Sequence, residues 1–177
     1  MNTTSVNLPQ KQKTTPRIEK FIKRLSNPFL FRLYLLAKLP LAFIARTKIV
    51  SITPQAAQTS IPYGWLNQNP FRSTYFAALS MAGEMATGVL GLMAIDNSEY
   101  PIAILVVNIQ AEFTKKATDL TTFTCTDGQL FFDAVAETMQ TGEAVQVKAT
   151  SIGRNKAGDE VARFYVTWSL KKRKSKS

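Results

Sequence analysis

Between Thr74 and Ile95 the chain reads TYFAALSMAGEMATGVLGLMAI, twenty-two residues with no Lys, Arg or Asp and a single carboxylate, Glu84, near the middle. Taking an unpaired carboxylate out of water costs more than one side chain usually contributes to a core. Glu84 must therefore be paired, protonated or required for chemistry. On a helix its neighbours three, four and seven positions away are Ala77, Ser80, Met81, Thr87, Gly88 and Gly91, a stripe of mostly small side chains that leaves room beside the carboxylate. A desolvated carboxylate at the end of such a groove is a strengthened base, able to activate water against an extended ligand. The same residues permit a structural role. Glu84 could be satisfied by Arg72, Asn69 or a backbone amide, with the small stripe serving close helix-to-sheet packing.

Other chemistries are excluded by composition. The chain has no histidine, which removes Ser-His and Cys-His mechanisms and histidine-ligated metal, and its one cysteine, Cys125, cannot form an internal disulfide. No cluster of carboxylates suggests a bound metal, and no cofactor is expected. Cys125, in a Thr-rich strand without a basic partner, reads as a small buried side chain. The net charge of +10 sits at the ends. Residues 1–24 carry six basic side chains against Glu19, residues 171–177 carry five, and residues 25–170 hold eleven of each sign. Basic ends on a neutral body without aromatic-interleaved basic patches argue against nucleic-acid reading and leave peripheral contact with a membrane surface as a second role for them. The polar N-terminus does not read as a signal peptide, so a cytoplasmic location is expected.

The elements that must position Glu84 follow from periodicity. One domain with a real core is expected from 177 residues that are 45% apolar. Residues 1–16 read as a disordered lead. Ile18, Phe21, Ile22 and Leu25 open a region of N-terminal helices over 17–47. Asn27 and Pro28 start a second helix whose apolar surface, Phe29, Leu30, Leu33, Tyr34, Leu36 and Leu39, is too broad to leave in water. KIVSIT and AAQTSI form a hairpin split by Pro54, and Ser73 is the expected N-cap of the long helix at 74–94. Val107, Ile109, Ala111 and Phe113 alternate with polar residues as a strand, LTTFTCT is another, and Leu130 to Met139 form a helix ending at Gly142. A final hairpin pairs Val145–Thr150 with Arg163–Leu170, and 171–177 read as a basic tail.

The class is α+β. An antiparallel sheet of about six strands needs its apolar face covered, and the only element apolar around most of its circumference is the 74–94 helix. A sheet curled around one long helix over 48–170 resembles the hotdog fold. The run from Asn69 to Gly88 strengthens the likeness. It resembles the acyl-CoA thioesterases of the hotdog superfamily, similar to the phenylacetate-pathway and hydroxybenzoyl-CoA enzymes, in which an Asn is followed six positions later by His-Gly-Gly and a carboxylate nine positions after that His. Asn69 and Glu84 match the Asn and the carboxylate; Tyr75 stands in place of the His, Phe76 and Ala77 in place of the glycines, and Arg72 in place of a glycine three after the Asn. The segments LPLAFIARTKIV and IPYGWLNQNPFRSTYFAALSMAGEMATG resemble a poorly characterised bacterial branch of that superfamily, made up of domains of unknown function, over about residues 28–170.

The resemblance implies an acyl-CoA thioesterase with coenzyme A present only as part of the substrate. Glu84 would act as base or nucleophile, Asn69 would position water or thioester, and Tyr75 would take the orienting place of the His. Phe76, Ala77, Ser80, Met81 and Arg72 would contact substrate, with backbone N–H groups at the helix start facing the carbonyl oxygen. It also implies a homodimer, with a tetramer as the larger assembly, and a site shared between subunits. Lys115, Lys116, Arg154 and Lys156 are candidates for the coenzyme A phosphates. The alternative expectation is a non-catalytic hotdog protein that binds an acyl chain or acyl-CoA.

Overall fold

The computed structural model describes residues 14–173. Helix α1 (Pro16–Ser26) begins where Thr15 Oγ1 accepts a hydrogen bond from the Ile18 N–H, and it buries Ile18, Phe21 and Leu25 on one stripe. Asn27 then caps α2 (Pro28–Lys38), its Oδ1 accepting from the N–H groups of Phe29 and Leu30 at 3.0 and 3.1 Å. Pro40 ends that helix, because a proline forces the residue before it out of the helical region, and starts the short α3 (Pro40–Ile44).

The hairpin expected next is present as β1 (Lys48–Ile52) and β2 (Ala57–Ile61), turned by the segment around Pro54. Then come α4 (Phe76–Asp96), β3 (Ile102–Phe113), β4 (Thr121–Cys125), α5 (Gly128–Thr141), β5 (Val145–Arg154) and β6 (Glu160–Lys172). The six strands form one antiparallel sheet in the order β1-β2-β4-β5-β6-β3. Helix α5 stops where Gly142 takes a left-handed φ of 75°, which costs a residue without Cβ little.

Helix α4 fills the concave side of the sheet. It is long and apolar enough to cross a bilayer, yet thirteen of its twenty-one residues are buried against the protein itself, so it is the core helix. Small residues allow this contact. A Cβ at Gly83 would come within 2.6 Å of the Phe164 ring, so any larger residue would push the helix off β6. Phe164 in turn packs edge-on to Phe123 at 5.6 Å between centroids, and both rings are fully buried. Truncating either to alanine would cost about 3–5 kcal/mol.

Three local expectations are corrected. Ser73 does not cap α4: Thr74 donates its N–H to Ala117 O and pairs with Gln68 as an isolated bridge, and Tyr75 donates to Asn67 O. These bonds hold 73–75 extended, so the helix starts at Phe76 with Tyr75 as N-cap and no side-chain cap bond. Val107 does not continue the alternation of Ile109, Ala111 and Phe113, because it is the extra residue where the register between β3 and β6 shifts between Val106 and Asn108; Val106 stands opposite Trp168 and Ile109 opposite Val166. Finally, β6 runs on through Lys172, opposite Ile102, two residues into the stretch read as a tail. Residues 1–13 and 174–177, the bulk of the expected lead and tail, lie outside the described residues.

Besides the 65–76 segment, where Trp65 and Phe71 are 82% and 72% exposed, two broad apolar surfaces among the described residues remain uncovered in the single chain. Strand β3 is an edge strand, with Leu105, Val107, Ile109 and Phe113 each about half exposed or more. The other is the outward side of α2 and α3, where Phe29 and Leu41 are 76% and 72% exposed.

Candidate functional site

Glu84 lies on the stretch of α4 that faces away from the centre of the sheet, where Ala77, Ser80, Met81 and Glu84 are only partly buried. From Glu84 toward the helix C-terminus a cavity of about 440 Å³ opens. Its floor is Glu84, Gly88 and Leu92 of α4, its sheet wall is Trp168 and Ile104, and its roof is Phe21, Phe31 and Tyr34 of the N-terminal helices. That volume falls within the range of small-molecule sites, and the wall is mostly hydrocarbon and aromatic. The N-terminal helices thus form one side of the groove that the small residues of α4 leave open.

Among the described residues the Glu84 carboxylate has neither a hydrogen-bond nor an ion-pair partner. Arg72 and Asn69, which could have satisfied it, are elsewhere. Burial alone pushes the Glu84 carboxyl up from 4.5 to about 7, because a charge there loses water without gaining a counter-charge. Gly88 makes the space: a Cβ on it would stand 3.2 Å from Glu84 Oε1 and 3.1 Å from the Trp168 indole. The indole is fixed by its Nε1–H, which donates to Thr87 Oγ1 at 2.9 Å, and the Thr87 hydroxyl donates to Glu84 O at 2.8 Å. Glu84 and the aromatic wall are therefore tied to the same helical turn.

A second cavity, about 530 Å³, lies at the other end of α4 and is lined by Asn69, Tyr75, Phe76, Phe113, Lys115 and Lys116 among others. The Asn69 side chain is engaged within its own loop, Oδ1 accepting from the N–H groups of Phe71 and Ser73 while Nδ2 donates to Ser73 Oγ. Tyr75 and Phe76 stack edge-on at 4.8 Å and are both about half exposed. The Tyr75 N–H is bonded to Asn67 O, so the first-turn N–H groups without a carbonyl inside the helix to bond are those of Phe76 and Ala77. Lys115 pairs with Asp159 at 2.6 Å, an exposed bridge, and Lys116 donates to Phe71 O at 3.3 Å. Arg72 is exposed and holds a φ of 58°, the left-handed region in which a glycine would be unstrained.

The residues singled out from the sequence thus divide. Asn69, Tyr75 and Phe76 share one cavity, Glu84 belongs to the other, and Ala77, Ser80, Met81 and Arg72 line neither. Nine helical residues at 1.5 Å each separate Tyr75 from Glu84 by ~13.5 Å, so within one chain they cannot serve one carbonyl. Sequence reasoning missed Trp168, Ile104, Phe21, Phe31 and Tyr34 as cavity walls. The only signal was the unplaced apolar surface of the N-terminal helices. Cys125 is fully buried, with its thiol pushed up to about 12 by desolvation, which leaves it inert.

Residues 29–170 match the family described as a domain of unknown function, DUF4442. The chain belongs to that family. This DUF4442 domain is similar in structure to a Chlorobaculum tepidum protein of unknown function, at 13% identity, a TM-score of 0.71, and coverage of 85% of this chain and 99% of the other. It is also similar to a Pseudomonas aeruginosa protein of unknown function described as a probable thioesterase, at 16% identity, a TM-score of 0.68, and coverage of 82% and 97%. A Haemophilus influenzae thioesterase aligns at 12% identity, a TM-score of 0.60, and coverage of 93% and 96%. No curated protein matches the chain. The fold of this DUF4442 domain is the hotdog fold, shared with thioesterase-like structures.

Proposed function

We propose that the protein is a thioester hydrolase acting on an acyl-CoA, with Glu84 as the general base. The observation that carries this reading is the unpartnered Glu84 carboxylate on the wall of a roomy apolar cavity, raised to about 7. A base is most useful when its pKa lies near the working pH, and among the described residues no structural partner offsets the cost of desolvating this group. Glu84 would take a proton from water as the oxygen attacks the thioester carbonyl. The tetrahedral oxyanion then collapses, the C–S bond breaks, and the products are a carboxylic acid and the coenzyme A thiol, protonated by the acid form of Glu84.

The oxyanion needs donors, and the free N–H groups at the start of α4 suit that role, but in one chain they are too far from Glu84. A two-fold axis through the middle of β3 would pair this edge strand with its copy in antiparallel fashion. The Ile104 end of one strand would then meet the Phe113 end of the other. That would bring the Glu84 cavity of one protomer beside the partner's second cavity, with its helix start and its lysines. Exposed apolar residues along β3 support this homodimer.

The test is a panel of short, medium, long and aromatic acyl-CoA substrates with detection of released thiol. Cleavage that Glu84→Ala abolishes, with the fold retained, is the expected result; no cleavage of any substrate by the wild-type protein overturns the reading. A second reading, a non-catalytic acyl-chain binder, is favoured by the bulky Tyr75 at the helix start and by the use of the Asn69 side chain inside its own loop. Acyl-CoA binding without turnover, at an affinity unchanged by Glu84→Gln, would establish that alternative.

A further inference from the structure

The outward side of α2 carries no charge across a broad sector. At the helical period Leu36, Phe29, Leu33, Ala37 and Leu30 follow one another over about 120° of its circumference. All five are exposed, the four large ones from 44% for Leu30 to 76% for Phe29. Arg32 borders this sector on one side, Tyr34 and then Lys38 follow on the other, and α2 contains no acidic residue. Helix α3 adds Leu41 and Ile44, 72% and 53% exposed. Residues 14–48, which comprise all three N-terminal helices, hold eight basic side chains and one acidic, whereas residues 49–170 hold seven basic and eleven acidic. An uncovered apolar helix face bordered by cations, on a strongly basic segment of the chain, has the composition of an interfacial helix that lies in an anionic lipid surface.

We propose that α2 and α3 dock the protein on an anionic bilayer, with Phe29, Leu33, Leu36 and Leu41 entering the headgroup boundary and Arg32 and Lys38 remaining at the level of the lipid phosphates. A second copy of the chain fits this face poorly. A two-fold contact would set one strongly basic surface against another, and the uncovered β3 edge, with Glu112 as its one charged residue, already offers a self-complementary contact. Docking is independent of thioester hydrolysis. The inward side of α2 nevertheless supplies Phe31 and Tyr34 to the Glu84 cavity, so the helix that meets the lipid also roofs the site.

The test is co-sedimentation of the full-length protein with sucrose-loaded vesicles of phosphatidylcholine alone or with about 30% phosphatidylserine. Binding is expected only to the anionic vesicles, weakening severalfold between 0.1 and 0.5 M salt, as partly screened surface charge requires. The double substitution Phe29→Ser, Leu33→Ser replaces exposed residues, so the fold should survive, and it should lower the vesicle partition roughly a hundredfold. Lys38→Glu should lower it severalfold. Loss on neutralising only the terminal lysines Lys11, Lys13, Lys174 and Lys176, with the serine pair without effect, would overturn the proposal in favour of the chain ends. Absence of binding to anionic vesicles would also overturn it, as would a change of oligomeric state in the serine variant, measured by light scattering.

Discussion

Glu84 Oε1 lies over the bare Cα of Gly88, one helical turn on, so close that a methyl group there would stand 3.2 Å from it. The buried carboxylate keeps its room because one position of the core helix lacks a side chain. On the far side of that room is Trp168, which the Thr87 hydroxyl holds in place.

Gly88→Ala is therefore expected to act on the site more than on the fold. The indole cannot retreat without losing its hydrogen bond, so the carboxylate must shift. Displacement of the proposed base by a fraction of an ångström should lower kcat/KM for the best acyl-CoA substrate tenfold or more. Stability should change by less than about 1 kcal/mol, since the gain in helix propensity offsets the crowding. Thiol release and denaturant unfolding measure the two, and an unchanged rate would show that the space over the carboxylate is unused.

The pH dependence has a definite sign. Glu84 titrates near 7 when folded and near 4.5 when solvated, so between these values the folded state binds more protons than the unfolded one. Stability should fall as pH rises from about 4.5, with the loss complete above about 7 and amounting to roughly 3 kcal/mol. Glu84→Gln removes that loss. Its melting temperature should nearly match the wild-type value at pH 5 and exceed it by roughly 5–10 °C at pH 8. The cleavage rate of the wild-type protein should rise with pH through about 7 and then level off, since the base must be ionised. A melting difference that does not vary with pH would mean that the carboxylate is well solvated.

Ile109→Lys tests the shared site. Ile109 sits mid-way along the β3 edge, 48% exposed in the single chain. A lysine there would face its own copy across the proposed two-fold and block strand pairing. The expected outcome is a folded monomer by light scattering that has lost thioester cleavage. A wild-type protein that is monomeric and active would rule out a site built from two chains.

Local sequence settled the elements wherever one chemical signal dominated. Asn27-Pro28 gave a capped helix start, the alternation in β5 and β6 gave a hairpin with one buried face, and the unbroken apolar stretch around Glu84 gave the core helix. It failed at Ser73, whose capping chemistry yields to a backbone bond from Thr74 to Ala117, forty-three residues away. It failed also at Val107, where a bulge set by pairing with β6 resets the face.

The sequence by itself determined that Glu84 would be costly to hold and that small neighbours would leave space beside it, because both follow from residue type and the helical period. Only the tertiary structure decided what encloses that space. Trp168, Ile104 and Phe21 are distant in the chain and meet at Glu84 because the sheet curls and α1 folds back over it. Contacts between remote segments are selected by packing of the whole core, which no local pattern encodes.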